Sequence, residues 1–364
     1  MDKKISMAII QPFVPHYREA FLQELGTSCN LTIFTFVNSE YSRRKGFALS
    51  DLPVRKLPSI RFFSFVLFDI RPLLNREYEI IVLCAELRIL SNWMLLWLGN
   101  MIGTRIILWG HGLNAVRYDR QSRKMPWIRK YLYRLSGGAW FYTEKEKMIW
   151  DNLQPSLKSV ALGNTIDVRD VRCMEINPAE RRMLSRKHGI ERDTIFIFCA
   201  RIVHPNRRID LLIKLIESLD HNRYGFIIIG DGPIRPDFTN YGNVCYMGSV
   251  YDRNVKHELF ALADAYLQPG WLGLSAVEAM AYGKAVLSLA RSIDVPQCVE
   301  YGYIQSGITG YLARDIDDLV QFIETVPLER LHGMGRNARD FVMRELTIDQ
   351  MVGNAIRGVD FVLS

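Results

Sequence analysis

No two of the six cysteines, Cys29, Cys84, Cys173, Cys199, Cys245 and Cys298, stand close in sequence, and none is grouped with histidine. This spacing excludes a CxxC redox pair, a zinc-binding cluster and a disulfide framework as organising features. Cys199, within Ile195-Phe-Ile-Phe-Cys199-Ala200, reads instead as a small apolar core residue. An uninterrupted membrane span is also lacking. The longest apolar window, Ile89 to Leu108, contains Asn92, Asn100, Gly103 and Arg105, and it divides into a helix and a following strand. Met1-Asp-Lys-Lys-Ile-Ser leads straight into a strand-like run, so no signal peptide is expected. Short-period repeats and low-complexity tracts do not occur. Metal-ligand clusters are missing too, and Asp315-Ile-Asp-Asp318 reads as a helix start with acids in its first turn.

What the chain does have is material for two cores. It holds 364 residues, 49% hydrophobic, 11% aromatic and 23% charged, which describes a folded protein of two domains. Its net charge of +7 is unevenly placed: residues 1–175 carry 25 Lys+Arg against 16 Asp+Glu, and the remainder 21 against 23. The first half is therefore the half to meet an anionic partner. Nucleic acid is not expected as that partner, because no recognised binding motif accompanies the charge.

Strand-like and helix-like segments alternate along the chain. Ile5–Ile10 is a strand, followed by a helix over His16–Leu25 and strands at Leu31–Phe36, Ile80–Cys84, Arg105–Trp109 and Ala139–Tyr142. A polar helix, Glu144–Leu153, precedes a strand at Ser159–Leu162. After Pro178 the alternation restarts, with strands at Thr194–Cys199, Tyr224–Ile229, Val244–Tyr246, Ala265–Leu267 and Ala285–Leu289. Helices at Arg208–Leu219, Val255–Ala263 and from Ser275 separate them. Repeated β-α-β spacing predicts an α/β fold with parallel sheets covered by helices, and two restarts predict two Rossmann-like domains. We place them at 1–170 and 171–345, with a C-terminal helical segment, 346–364, returning to the first domain.

In parallel sheets, ligands collect beyond the carboxyl ends of the strands. The most informative such end is Gln268-Pro-Gly-Trp-Leu-Gly-Leu-Ser-Ala-Val-Glu278, a strand end, a glycine-bearing loop and a helix start. Unsatisfied N–H groups there, at Gly273, Leu274 and Ser275, suit a phosphate, and Glu278 one turn on suits a polar ligand group. Arg201 follows another strand and Arg207 or Arg208 sits at the start of the next helix, and two guanidiniums aimed at one crevice suit a diphosphate; a solvated basic loop is the plain alternative. Gly230-Asp231-Gly232 and Gly248 end two further strands and read, alone, as turns. In the first half, Leu108-Trp-Gly-His-Gly places His111 at a strand exit between glycines, open to a functional or a structural reading.

Together these segments resemble the family 4 glycosyltransferases, with the match strongest from Ala200 to Val286. The resemblance implies a GT-B architecture, two Rossmann-like domains facing across a cleft, and a retaining transfer from a nucleotide-sugar donor, UDP- or GDP-linked. In it Arg201 and Arg207 hold the diphosphate, Glu278 the ribose, and His111 approaches the donor sugar. Gly230, Asp231, Gly232, Gly248 and Gly270 line the donor pocket. His16, Tyr17 and Arg18, in the first loop and helix, touch the acceptor. No cofactor and no metal are expected. One position departs from the family's Glu-x7-Glu pattern: eight residues before Glu278 stands Gly270, not an acid, so the sugar is not specified.

Arg117 to Arg134 gathers seven cations against one acid, Asp119, with Trp127, Tyr131 and Tyr133 interleaved. Such a segment suits anionic lipid heads, at roughly 1 kcal/mol per cation near the surface, or an ordinary solvated helix face. Ile60-Arg-Phe-Phe-Ser-Phe-Val-Leu-Phe68 is either core or the lining of a lipid-acceptor site. The resulting expectation is a bacterial surface-polysaccharide enzyme of the O-antigen type, cytoplasmic and peripheral on the inner face of the membrane. Its acceptor is a saccharide or a polyprenyl-diphosphate-linked sugar. A GT-B-fold nucleotide-sugar epimerase and a non-catalytic membrane-associated binding protein remain the alternatives.

Overall fold

A computed structural model of the chain describes residues 4–37, 49–114, 117–171, 173–174 and 176–364. The side chains of Asn100, Asp119, Arg120 and Arg123 lie outside the described ones. The chain forms two units, 1–167 with 347–364, and 168–346.

The first unit is built on a parallel sheet. Across it run Arg55–Lys56, Asn30–Thr35, Ser6–Gln11, Ile80–Cys84, Arg105–Gly110, Gly138–Phe141 and Ser159–Ala161. Alternate residues of one strand enter different cores: Met7 and Ile9 pack on one face, Ala8 and Ile10 on the other. A sheet buried on both faces needs such near-continuous apolar strands. The helices Glu19–Ser28 and Ile348–Leu363 cover the first face, where Met351, Ala355 and Val359 join Phe21, Leu25 and Trp140. Close approach is required there, because a Cβ on Gly358 would stand 2.6 Å from Trp140 Nε1.

One element was not legible in the alternation. Ser59–Phe62 and Phe65–Phe68 form an antiparallel hairpin, with Phe63 in the left-handed region at its tip. The aromatic run is thus split: Phe68 is core, whereas Phe62 and Phe63 are 70% and 83% exposed.

The second unit carries the parallel order Val244–Gly248, Tyr224–Ile229, Thr194–Cys199, Ala265–Leu267, Ala285–Leu289, Gly310–Ala313. The order reverses direction between Thr194–Cys199 and Ala265–Leu267, the switch point of a doubly wound sheet. In the first unit the corresponding reversal lies between Ser6–Gln11 and Ile80–Cys84. At the amino ends of the second unit's switch strands, buried Asp264 accepts from Ile195 N at 2.8 Å and pairs with Arg181 and His332. Burial opposes the Asp264 charge, but the His332 hydrogen bond, the Arg181 charge and the Ile195 amide together lower its pKa.

Candidate functional site

The carboxyl ends of the second unit's switch strands carry the loops 200–208 and 268–273. Their backbones are locked together with the neighbouring turn: Ile202 N donates to Asp231 O at 2.9 Å and Gly230 N to Gly248 O at 2.7 Å. Gly230 and Gly232 both have positive φ, and a Cβ on either would stand 2.0–2.2 Å from the carbonyl oxygens of Ala200 and Ile202. These two glycines therefore let the 230–232 turn lie directly on the loop that bears Arg201, which is half-buried there.

Arg207 closes the arrangement from the other side. Its Nη1 donates to Trp271 O at 2.7 Å, and its guanidinium nitrogens stand 3.8–3.9 Å from the position a Cβ on Gly273 would take. Gly273 is the N-cap of the helix Leu274–Ala281, with no side chain capping its amides. A guanidinium and the positive end of a helix thus meet at the switch point, which is a ready site for a doubly charged anion. Desolvation lowers the Arg207 pKa from its ordinary value, and the group stays cationic at neutral pH.

The loop that presents this helix is held from beneath. Gln268 Nε2 donates to the carbonyls of Gly270 and Trp271 at 2.8 and 2.7 Å, while Gln297 Oε1 accepts from Leu272 N at 2.8 Å. Tyr266 hydroxyl bonds Gln268 and lies 2.9 Å from Ser275 Oγ, joining strand to helix. Trp271 and Arg208 adopt positive φ on facing loops, a conformation that costs energy outside glycine and marks a constrained site. The sequence marked Gln268 only as the start of its loop segment and did not single out Tyr266 or Gln297. Buried polar residues at strand ends and in the next loop are a signal that could have found them.

Gly270 has a steric explanation. A Cβ there would stand 2.6 Å from Asn206 O and 2.7 Å from Arg208 Cγ, so this backbone has closed onto the 206–208 loop. Glu278 is half-buried and bonded to Lys256 Nζ, a partner that the sequence did not suggest.

The other expected residues belong to the first unit. His111 follows the strand Arg105–Gly110 and packs against Tyr142 with ring centroids 4.4 Å apart. Desolvation at this strand end, then the charges of Arg18 and Arg129, pull its pKa down to about 4. His111 as a residue keeps solvent-exposed surface, and its imidazole is neutral at pH 7. Arg18 is buried, with Nη2 donating to Asn164 Oδ1 at 2.5 Å and Nη1 3.9 Å from Met351 Sδ. Tyr17 and Arg18 line a pocket of about 160 Å3 with Val14, Cys84, Trp109 and Tyr142, whereas exposed His16 stands outside its lining.

Residues 193–326 match the sequence model of the family described as "Glycosyl transferases group 1". No curated protein matches the chain. Among solved structures, HepE of Anabaena, crystallised with UDP and glucose, is similar at 13% identity and TM-score 0.66, over 98% of this chain and 99% of that one. Sucrose-phosphate synthase of Thermosynechococcus elongatus is similar at 14% identity and TM-score 0.67, over 99% and 100%. A glycosyltransferase of Rickettsia africae is similar at 13% identity and TM-score 0.68, over the whole of both chains. The chain therefore has an α/β fold with parallel, Rossmann-like sheets that matches GT-B glycosyltransferase structures. The group 1 glycosyl transferase match covers the segment that carries Arg207, Gly273 and Glu278.

Proposed function

We propose that this protein is a retaining glycosyltransferase that takes a sugar from a nucleoside-diphosphate donor, UDP- or GDP-linked. The observation that carries this reading is the Arg207 guanidinium set against the uncapped N-terminus of Leu274–Ala281 at a sheet switch point. An acceptor hydroxyl oxygen bonds to the anomeric carbon on the face from which the diphosphate oxygen departs, and the hydroxyl proton leaves with the diphosphate. Charge building on that oxygen meets Arg201, Arg207 and the amides near Ser275, an electrostatic role that needs no covalent nucleophile. UDP in the HepE structure and the group 1 match support a nucleotide-sugar donor.

The acceptor side of the proposal is a saccharide or polyprenyl-diphosphate-linked sugar in bacterial surface-polysaccharide synthesis, reached at the cytoplasmic face of the membrane. No described helix is long and apolar enough to cross a membrane. Peripheral contact is supported by exposed Ile60, Phe62, Phe63 and Trp127, with Arg61, Lys124 and Arg134 also exposed in the same unit. Arg129 and Lys130 are half-buried, and the Arg123 side chain lies outside the described residues. Incubation with a panel of UDP- and GDP-sugars tests the reaction: donor hydrolysis or transfer with retained anomeric configuration is expected. A product of inverted configuration, or no turnover of any donor, defeats the proposal.

A further inference from the structure

Buried cations without counter-ions are costly, because desolvation is not repaid by an opposite charge. The first unit holds such a cation at its own switch point. Arg18 is 7% exposed, and among the described residues no carboxylate lies within ion-pairing distance of it. What surrounds it is aromatic: its guanidinium carbon lies 5.2–5.4 Å from the ring centres of Tyr17, Trp109 and Tyr142. Those faces hold a cation through their quadrupoles without neutralising it. Its two hydrogen-bond partners, Asn164 Oδ1 and Met351 Sδ, are uncharged as well.

Three further observations point the same way. Arg18, Tyr17, Trp109 and Tyr142 line the pocket of about 160 Å3, so the charge borders a concave space that is partly open to solvent. Arg18 also ends the 3-10 turn His16–Arg18 at the amino end of the helix Glu19–Ser28, which has no side-chain cap and carries one acid, Glu19, in its first turn. A second guanidinium, Arg129, has its Nε buried with no hydrogen-bond partner among the described residues. With a neutral His111 against Tyr142, the strand ends thus carry positive potential and a neutral hydrogen-bonding ring.

We infer that this pocket is an oxyanion subsite, in which Arg18 takes a carboxylate or phosphate group of the acceptor while the surrounding rings pack on its carbon skeleton. The inference rests on the proposed transferase reading only in calling the ligand an acceptor; the anion site stands on the pocket itself. At about 30 Å3 per water, the pocket holds about five waters, the scale of one small anionic group with a few attached carbons.

The test is calorimetry in excess UDP with glucuronate, glucose 6-phosphate and glucose. At least one of the anionic sugars is expected to bind ten-fold or more tightly than glucose. Arg18→Gln, which can still bond Asn164, should erase that preference, and Arg18→Lys should keep part of it. Preference for glucuronate identifies the group as a carboxylate, and preference for glucose 6-phosphate as a phosphate. Equal binding of all three sugars, or an unchanged preference in a folded Arg18→Gln protein, overturns the inference. Should Arg18→Gln not fold, loss of the preference in Arg18→Met, or its persistence there, decides in the same way. Donor turnover without anion preference leaves the transferase reading standing and removes this one; Arg18-dependent anion binding without turnover of any donor does the reverse.

Discussion

Lys256 Nζ lies 2.6 Å from Glu278 Oε1, joining the helices Arg253–Leu262 and Leu274–Ala281 at the edge of the candidate donor site. Both side chains are about four-fifths covered, so neither charge is freely hydrated. The carboxylate that would hold a ribose is therefore oriented in advance by a cation from the neighbouring helix, which bonds one of its two oxygens. Glu278→Gln should weaken UDP or GDP binding several-fold and lower the melting midpoint by a few degrees, at roughly 1–2 kcal/mol for the orphaned ammonium. Lys256→Met should lower affinity less than Glu278→Gln does. Calorimetry and thermal unfolding on both variants check the ordering.

Arg207→Ala removes a charge from the helix N-terminus and a bond to Trp271 O. Charge-assisted bonds of this type are worth about 1.5–3 kcal/mol, so nucleotide affinity should fall by roughly ten- to a hundred-fold. Undiminished affinity would remove Arg207 from the diphosphate site.

Placing an acid at position 270 should not supply a sugar contact. Gly270→Glu places its Cβ against Asn206 O and Arg208 Cγ, and overpacking of this kind costs about 1–3 kcal/mol. Gly270→Ala should show most of the same loss in stability. A stable Gly270→Glu protein with improved turnover would contradict the steric account.

Asp264→Asn separates stability from the site, because Asp264 lies at the amino ends of the switch strands. The depressed pKa of Asp264 makes its contribution full above the unfolded carboxylate value of about 3.9 and lost as pH falls through the lower folded value. The variant should lose about 3 kcal/mol or somewhat less at neutral pH, since Arg181 and His332 keep solvent access. The gap from wild type should narrow only below about pH 4. Denaturant titrations across that range read it directly.

Phe62→Ser with Phe63→Ser should reduce sedimentation with vesicles containing anionic phosphatidylserine, while leaving the melting midpoint nearly unchanged, because both rings are exposed. Neutralising Lys124 and Arg134 should weaken the same binding and flatten its salt dependence. Equal sedimentation of variant and wild type removes the membrane contact.

Much of the fold was legible because fully buried parallel strands announce themselves as apolar runs. Thr194–Cys199, Tyr224–Ile229, Ala265–Leu267 and Ala285–Leu289 have the bounds that the sequence suggests. The hairpin at Ser59–Phe68 was not legible, since seven aromatic or apolar residues around one exposed turn look like core when read in order. At the site, strand-end positions were readable from periodicity, but partners were not. Lys256 meets Glu278 across 22 residues and Asn164 meets Arg18 across 146, and no local pattern encodes such pairings. Gly270 likewise looks like a missing acid in sequence and becomes a packing requirement only when Asn206 is seen against it.

The helix Ile348–Leu363 supplies Ile348, Met351, Val352, Ala355, Val359 and Val362 to a core otherwise made from residues 7–162. Synthesis from the N-terminus therefore leaves one face of the first sheet covered only by the helix Glu19–Ser28 until residues 347–364 have been made. The continuous stretch 168–346 has no such wait. The later-made unit can thus complete its core from a continuous stretch, whereas the earlier one keeps apolar surface exposed until its last helix arrives, a surface that chaperones would have reason to cover.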